Sequence, residues 1–532
     1  MISTRTWPPL LALGVGCTTP ATEPVPPLPD EVCTVEALLL GIEELDALAS
    51  RGCTSIEGDL AVLGFNGWNW RPITFDRLRS ISGVLSVRLG GPGPGPSRIE
   101  MPELVDVGSV EFEMDTRTVL ALGALESLEV LDVQGNGPIE APQLVTVRRA
   151  TLAVPDVDLP SLASVDTLRV HAPTSLPALT SANTIETTAP LALSSLRTVG
   201  TLEALSTVLE LPVLETATSI EARAVDAPRL THIDHVRLLD AADASLPTLA
   251  TAGIVELELS GGGGATLPAL TRADGLSVFA PGGGELGLPV LADLGILHVD
   301  ADAPIVLPAL TSVMGVDAQV RTGSLTAPLL QVSGPLGVSG ASVALPSLHT
   351  AGDVSIAVDA GIDLPMLESV GPMHLEAPPT ASVSLPSLVQ PLRLELFGGA
   401  SLGLHPDATF RALSLYEYRG AIDVTLVPDA ELLWLGYVTD DSVDVAGGQH
   451  TERIVLETSP AVSSLSAPDV STIGTLKVQG MSLDTLDLPS LSSVIDCVGV
   501  EAGNVPPAAL LAIEAGAQAG GASIFPQAWQ CP

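Results

Sequence analysis

The sequence predicts an all-β protein, a single long parallel β-solenoid of roughly twenty coils. One observation is the tetrapeptide Leu-Pro-x-Leu, which recurs down the chain at steps of about 17 to 21 residues. A second is the alternation of apolar and polar residues between the motifs, which is typical of strands with one buried face. A third is the composition, 46% hydrophobic but 3% aromatic, which suits narrow coils filled by Leu, Val and Ala.

The motif covers most of the chain, and degenerate copies fill the gaps between complete ones. Complete copies begin at Leu159, Leu176, Leu211, Leu246, Leu267, Leu288, Leu307, Leu345, Leu364, Leu385 and Leu488. Copies without the first leucine begin at Met101, Ala141, Ala227, Ala327 and Ala467, and copies without the proline begin at Leu122 and Leu193. The regular spacing predicts one solenoid domain over residues 61–495, about 95 Å long at about 4.8 Å per coil.

Each coil is expected to contain short strands and a corner. Leu168 and Val170 flank Arg169, so the two apolar side chains lie on one strand face. Proline lacks an N–H group and cannot sit inside a hydrogen-bonded ladder. The recurring proline therefore predicts a corner, with both leucines of the motif pointing inward.

The charge of the chain makes nucleic acid an improbable partner. The sequence holds 62 acidic and 22 basic residues, a net charge of −40, and Lys477 is its only lysine. Such a surface repels phosphate backbones. The acidity favours solubility of a long apolar rod, with attraction of divalent cations or adaptation to salt as alternatives.

The N-terminal residues predict export. Residues 1–17 combine a basic start at Arg5 with a short apolar stretch and Cys17, as in a bacterial lipoprotein signal whose cysteine is lipidated. An ordinary signal peptide is the alternative. Residues 18–32 are rich in Pro, Thr and Glu and predict a disordered tether. Thr18, in place of an aspartate, favours the outer membrane or cell surface, with the membrane contacted through the lipid.

The remaining cysteines predict disulfides. Cys33 and Cys53 lie near one end of the solenoid, and Cys497 and Cys531 lie near the other. Pairing within each end closes short loops in an exported chain. Four cysteines around one metal ion is the alternative, which requires the two ends of the rod to meet.

Both cysteine-bearing ends predict caps, over residues 33–60 and 496–532. Apolar residues at helical spacing predict a helix over residues 36–50, and Pro506 begins a second apolar segment. A solenoid needs such ends because they cover the last apolar rung and its strand edge.

Two segments resemble the receptor L-domain family. Residues 52–62 combine a cysteine, a short polar run and a Gly-x-Leu-x-Val strand, and residues 75–87 match the family's coil of leucine, isoleucine, glycine and strand. The resemblance implies a right-handed solenoid with disulfide-bonded caps. The family's hormone binding does not carry over, because this chain lacks the cysteine-rich module, membrane span and kinase.

Residues 390–460 depart from the repeat. Pro406 and Pro428 keep the spacing, but the leucine after each proline is lost. This segment holds the candidate binding patch, which consists of Tyr416, Tyr418, Trp434 and Tyr437. Tyr416 and Tyr418 are expected to share a strand face. Exposed aromatic clusters are typical of sugar or protein contact sites, and the alternative is that bulky side chains fill wider coils.

A second aromatic cluster includes Trp68 and Trp70, for which packing in the cap is the alternative to binding. His232 and His235 are three apart, so on a strand they face opposite sides, and a shared metal ion requires a bend or a helix; a structural or solvent-facing role is the expectation. The sequence predicts no catalytic residue, metal or cofactor. It predicts a non-enzymatic cell-surface protein for adhesion, recognition or envelope architecture, with an extracellular protein or glycan as partner. A polysaccharide-active β-helix enzyme and a purely structural spacer are the alternatives.

Overall fold

The fold is the solenoid that the repeat predicts. A computed structural model describes residues 32–34, 38–40, 42–65, 72–90, 98–114, 118–240, 244–259, 264–389, 392–439, 441–459, 461–480, 483–500, 505–525 and 531. The protein is all-β, with 56% strand and 5% helix, and its parallel strands wind through about 21 turns. The predicted fold class is confirmed.

One series of parallel strands runs the length of the molecule and is called the long ladder. Its strands are β1 (Val32–Thr34), β2 (Leu38–Leu40), β3 (Ser55–Glu57), β4 (Leu60–Phe65), β6 (Ser80–Gly90), β8 (Asp106–Met114), β10 (Ser127–Gly135), β12 (Thr146–Ala153), β14 (Ser164–Val170), β16 (Ser181–Thr187), β18 (Thr198–Glu210), β19 (Thr216–Asp226), β20 (His232–Leu238), β21 (Thr251–Glu258), β23 (Arg272–Ala280), β25 (Asp293–Ala301), β27 (Ser312–Thr326), β28 (Val332–Ser333), β29 (Leu336–Ala344), β30 (Val354–Val358), β32 (Met373–Glu376), β34 (Leu392–Phe397), β36 (Phe410–Tyr416), β38 (Asp429–Gly436), β40 (His450–Glu457), β42 (Thr472–Gln479), β44 (Ser493–Val500) and β45 (Ser523–Phe525).

Shorter strands precede the corners and pair from coil to coil. They are β5 (Ile73–Thr74), β7 (Arg98–Met101), β9 (Val119–Leu122), β11 (Ile139–Glu140), β13 (Val157–Asp158), β15 (Thr174–Ser175), β17 (Leu191–Ala192), β22 (Ala265–Thr266), β24 (Leu286–Gly287), β26 (Ile305–Val306), β31 (Ile362–Asp363), β33 (Ser382–Leu385), β35 (Ser401–Leu404), β37 (Ile422–Leu426), β39 (Ser442–Gly447), β41 (Ser464–Ser466) and β43 (Thr485–Asp487). The two helices are α1 (Ile42–Arg51) and α2 (Pro507–Gly520).

The core is a stack of aliphatic side chains in register. Leu168 pairs with Ala150 on one side and Ile185 on the other, and Ile185 pairs with Leu202. All four are buried. The same register continues to Leu476 and Val498 near the C-terminal end. Each coil thus buries its apolar face against the coils before and after it, as a solenoid requires.

The Leu-Pro-x-Leu motif forms a β-turn at a corner of the coil. The N–H of Leu162 donates to the carbonyl oxygen of Leu159 at 3.3 Å, and both leucines are buried. Pro160 lies between them, exposed, at the second position of the turn, where its fixed φ is favourable. The same bond recurs in other copies, at 3.2 Å from Leu214 to Leu211 and at 3.3 Å from Leu367 to Leu364. The predicted proline corner is therefore confirmed.

The C-terminal cap is helical, as predicted. Helix α2 packs on β44 through buried Ile513 and Ala517, and Gly521 ends it at φ 78°. A side chain at Gly520 would place its Cβ 1.9 Å from the carbonyl oxygen of Val494. The glycine thus allows the helix to lie directly against the last full rung.

The N-terminal cap differs from its prediction. Residues 38–40 form β2, a strand of the long ladder, and the helix begins only at Ile42. The predicted helix over residues 36–50 is wrong for this segment, because residues 38–40 pair in parallel with residues 60–62 of β4. Pairing with a strand distant in sequence outweighs the helical spacing here.

Both predicted disulfides are present. Cys33 is bonded to Cys53 and Cys497 to Cys531, each with a Cα–Cα distance of 5.9 Å. The pairs lie at opposite ends of the ladder, so the alternative of one shared metal site is excluded for these cysteines. The handedness of the solenoid stays a prediction.

Candidate functional site

The divergent coils carry aromatic residues on the outer surface of the long ladder. One outward-facing position, followed from coil to coil, reads Glu376, Phe397, Tyr416, Gly436 and Glu457. Four preceding coils hold Asp300, Gln319, Ser339 and Ala357 at this position. The rings of Phe397 and Tyr416 therefore follow four coils with small or polar residues at this position, and one coil further back Phe279 is a single aromatic residue between Glu258 and Asp300.

Five rings contact one another along this surface, here called the aromatic face: His374, Phe397, Tyr416, Trp434 and Tyr437. Phe397 lies 5.2 Å from His374 and 5.4 Å from Tyr416, measured between ring centroids. Tyr416 lies 6.1 Å from Trp434 and 5.0 Å from Tyr437. These are favourable separations for tilted and edge-to-face pairs. Tyr437 is 46% exposed, and the other four rings are half-buried.

A glycine makes room for the central ring. Gly436 follows Tyr416 in the outward column, and a Cβ at this glycine would lie 3.0 Å from Cδ2 of Tyr416. The Tyr416 ring therefore lies over the backbone of the next coil. Trp434, two residues earlier on the same strand, flanks the ring. Tyr416 therefore lies at the centre of a shallow, uneven part of the outer surface.

Beside the aromatic face the backbone of successive coils adopts positive φ at one corner. The angles are 80° at Gly398, 55° at Glu417, 54° at Tyr437, 44° at Thr458 and 65° at Gly480. Three of these five residues are not glycine, and each such residue carries about 1 to 2 kcal/mol of strain.

Backbone hydrogen bonds hold this corner. The N–H of Glu417 donates to the carbonyl oxygen of Gly436 at 3.0 Å, and the N–H of Tyr437 donates to that of Glu457 at 3.1 Å. Strained residues of this kind cluster at functional sites and switch regions. The strain at this corner therefore supports the interpretation of the aromatic face as a candidate functional site.

The corner also corrects one prediction. Tyr418 was expected to share a face with Tyr416, but it is 1% exposed and its hydroxyl lies 3.5 Å from the carbonyl oxygen of Ala421 inside the coil. The left-handed conformation of Glu417 breaks the strand alternation and turns the following side chain inward. Tyr418 and Phe410 are thus interior side chains, as the alternative interpretation proposed for the aromatic residues, whereas Tyr416, Trp434 and Tyr437 lie outside.

Carboxylates surround the rings. Partial burial raises the pKa of the Tyr416 hydroxyl above its ordinary value of 10.0, and nearby Tyr437, Glu417 and Glu457 raise it further because they disfavour a second negative charge. The hydroxyl is protonated at neutral pH, which lies well below even its ordinary pKa, and it can donate a hydrogen bond.

Two grooves border the aromatic face. One, of about 590 Å³, is lined by Phe397 and Tyr416 together with Asp359, Glu376 and Glu417. The second, of about 670 Å³, is lined by His374 and contains paired charges. Glu431, which lines that groove with Arg393, accepts hydrogen bonds from Arg393 at 2.6 Å and from Arg411 at 2.7 Å. The carboxylates beside Phe397 and Tyr416 thus leave the first groove acidic.

Sequence reasoning missed Phe397 and His374. The separation of Phe397 from Tyr416, one coil length, would have indicated that the two stack. Trp68, Trp70 and Cys17 lie outside the described residues. The described residues contain no cluster of three or more metal-ligating side chains, and His232 lies 3.2 Å from its strand neighbour Asp234.

No helix among the described residues has the length and apolar content to cross a membrane. Comparisons with protein-family models, curated proteins and solved structures find no match to this chain. The resemblance to the receptor L-domain therefore stays a prediction.

Proposed function

We propose that this chain is a non-enzymatic recognition protein, exported and anchored through lipid at Cys17, that binds an extracellular protein or glycan through the aromatic face. The regular coils serve as an acidic, soluble support that holds this face away from the membrane. The outer membrane or cell surface is the location that the N-terminal residues favour.

The observation that carries the proposal is the contact among five rings on the solvent side of consecutive coils. Their stacking positions each ring before a partner arrives, so little side-chain entropy is lost on binding. Tyrosine and tryptophan also combine a large apolar surface with a hydrogen-bond donor, which explains their enrichment at interfaces. The strained corner at Glu417 and Tyr437 adds independent support.

Binding tests should compare the wild type with Tyr416→Ala and Trp434→Ala on glycan arrays and on isolated surface proteins of the native host. Loss of about 2 kcal/mol of binding free energy is expected for each, the size found at interface hot spots. The matched control is Phe279→Ala, because Phe279 is 45% exposed and occupies the same outward position between Glu258 and Asp300. Equal losses of binding free energy in all three variants, or no loss in any of them, would contradict the proposed site.

The anchor has a separate test. Cys17→Ser is expected to move the protein from the membrane fraction to the soluble fraction, since the lipid supplies the membrane affinity. Mass spectrometry of the mature N-terminus measures the acyl chains directly. An unmodified N-terminus on a membrane-bound protein would reject lipidation at Cys17 while leaving the aromatic face unaffected.

A further inference from the structure

We propose that the aromatic face binds an extended, basic polypeptide segment whose lysine or arginine side chains lie over the rings and against the carboxylates of Glu376 and Glu457, which flank the rings in the outward column. This inference rests on the proposed recognition function and names its ligand class. It commits to a cationic protein segment over a neutral sugar.

Charge complementarity is the first argument. Within the outward column, Glu376 lies one coil before Phe397 and Glu457 lies two coils after Tyr416, so the two carboxylates flank the rings. Exposed Glu417 lies beside Tyr416 and lines the first groove. An ammonium or guanidinium group gains both from these carboxylates and from the negative faces of the rings.

The angles between the rings are the second argument. Tyr416 is inclined by 47° to Phe397, by 42° to Trp434 and by 68° to Tyr437. The rings therefore do not form one continuous flat platform, and a compact cation can lie over the solvent-facing part of a single ring. A sugar ring stacks best on an open, flat aromatic surface, which rings tilted against Tyr416 present less well.

Length is the third argument and favours a polypeptide over a single small cation. Four coil steps separate Glu376 from Glu457, or about 19 Å at about 4.8 Å per step. Six residues of extended chain span about 20 Å. Two basic side chains six positions apart can therefore reach both carboxylates, while the residues between them lie along Phe397, Tyr416 and Gly436.

The test uses a fluorescently labelled heptapeptide with lysine at positions 1 and 7 and Gly, Ser and Pro between, titrated with the full-length protein. Comparison probes carry glutamate in place of both lysines, or lysines two positions apart. A labelled neutral oligosaccharide, maltoheptaose, completes the set. Fluorescence anisotropy gives the dissociation constant for each probe.

We expect the two-lysine heptapeptide to bind at least about tenfold more tightly than the glutamate version, and tighter than the short-spaced version. Raising NaCl from about 50 to about 500 mM should weaken binding several-fold, because exposed charges are screened. Trp434→Ala should weaken it about tenfold.

The double variant Glu376→Gln with Glu457→Gln keeps every ring and should weaken binding about fivefold, so the proposal remains testable if ring variants misfold. The matched control Glu203→Gln removes an exposed carboxylate of β18 and should leave binding unchanged. Circular dichroism confirms that each variant is folded.

Equal binding of the lysine and glutamate peptides, or unchanged binding in the double variant, overturns the inference. Binding of maltoheptaose that depends on Trp434, without binding of the lysine peptide, also overturns it but leaves the proposed recognition function standing. A further outcome is that Tyr416→Ala and Trp434→Ala lose binding to native-host partners while the wild type does not bind the lysine peptide. That outcome also overturns the inference and leaves the proposed recognition function standing. If neither the peptide titrations nor the native-host binding tests detect binding that depends on the aromatic face, the recognition function itself is rejected.

Discussion

The regular coils, from β12 to β33, and the divergent coils, from β34 to β40, share one interior but differ at their corners and outer surface. Leu202 in the first region and Leu413 in the second are both buried in the same apolar column. Positive φ at Glu417 and Tyr437 distinguishes the divergent coils, as do the contacts between rings of successive coils. The core of a solenoid therefore tolerates a changed outer surface so long as the stacked rungs are kept.

The largest expected effect tests the corner of the divergent coils. In Gly398→Ala the new Cβ would lie 1.8 Å from the carbonyl oxygen of Ala377, so the coils must separate. We expect the free energy of unfolding to fall by more than about 3 kcal/mol. Gly283→Ala is the matched control, because Gly283 also has positive φ but nothing within 4 Å. It should cost about 1 kcal/mol. Chemical denaturation measures both, and similar losses would show that the close approach at Gly398 is unimportant.

The shared interior predicts equal losses in the two regions. Leu202→Ala and Leu413→Ala each remove a fully buried leucine and should each cost about 3 kcal/mol. Glu203→Ala, one residue along and exposed, should change stability by less than about 0.5 kcal/mol. Hydrogen exchange of the flanking strands localises the effect. A much smaller loss at Leu413 would mean that the divergent coils have a looser core than the regular ones.

Strain at the divergent corner predicts a stabilising substitution. Glu417→Gly removes the side chain that disfavours φ 55°, and should raise the free energy of unfolding by about 0.5 to 1 kcal/mol. The same change at Glu203, inside strand β18, should lower it by about 1 kcal/mol. Thermal melting of the two variants compares them directly. Destabilisation by Glu417→Gly would show that contacts of the carboxylate outweigh the backbone strain.

The smallest expected effect concerns the proline corners. Pro268→Ala keeps the turn bond between Leu270 and Leu267 but increases the freedom of the unfolded chain, so it should cost about 0.5 to 1 kcal/mol. Pro406→Ala should cost the same, because the turn bond from Ala408 to His405 persists at 3.0 Å without the second leucine. The shift in the denaturation midpoint measures the loss of stability in each of the two variants. A larger loss at Pro406 would mark the divergent turn as more dependent on its proline.

Much of the fold could be predicted because its causes are local and repeated. The spacing of Leu159 and Leu162 around Pro160 predicts both the corner and the inward side chains, and the structure confirms them. The segment around Leu38 was predicted wrongly, since pairing with a distant strand decided its structure. Of the candidate patch, Tyr416, Trp434 and Tyr437 are on the surface, but Tyr418 is not.

The sequence by itself determined the repeat, the inward and outward faces of each strand, the turns and the cysteine pairs, because each depends on residues close in the chain or on simple counting. The tertiary structure alone decided which aromatic residues meet. Phe397 contacts Tyr416 because coils stack in register, and Tyr418 is buried because one backbone angle at Glu417 reverses the direction of the next side chain. A single dihedral angle of this kind leaves no signal in the pattern of residues, since glutamate rarely adopts it.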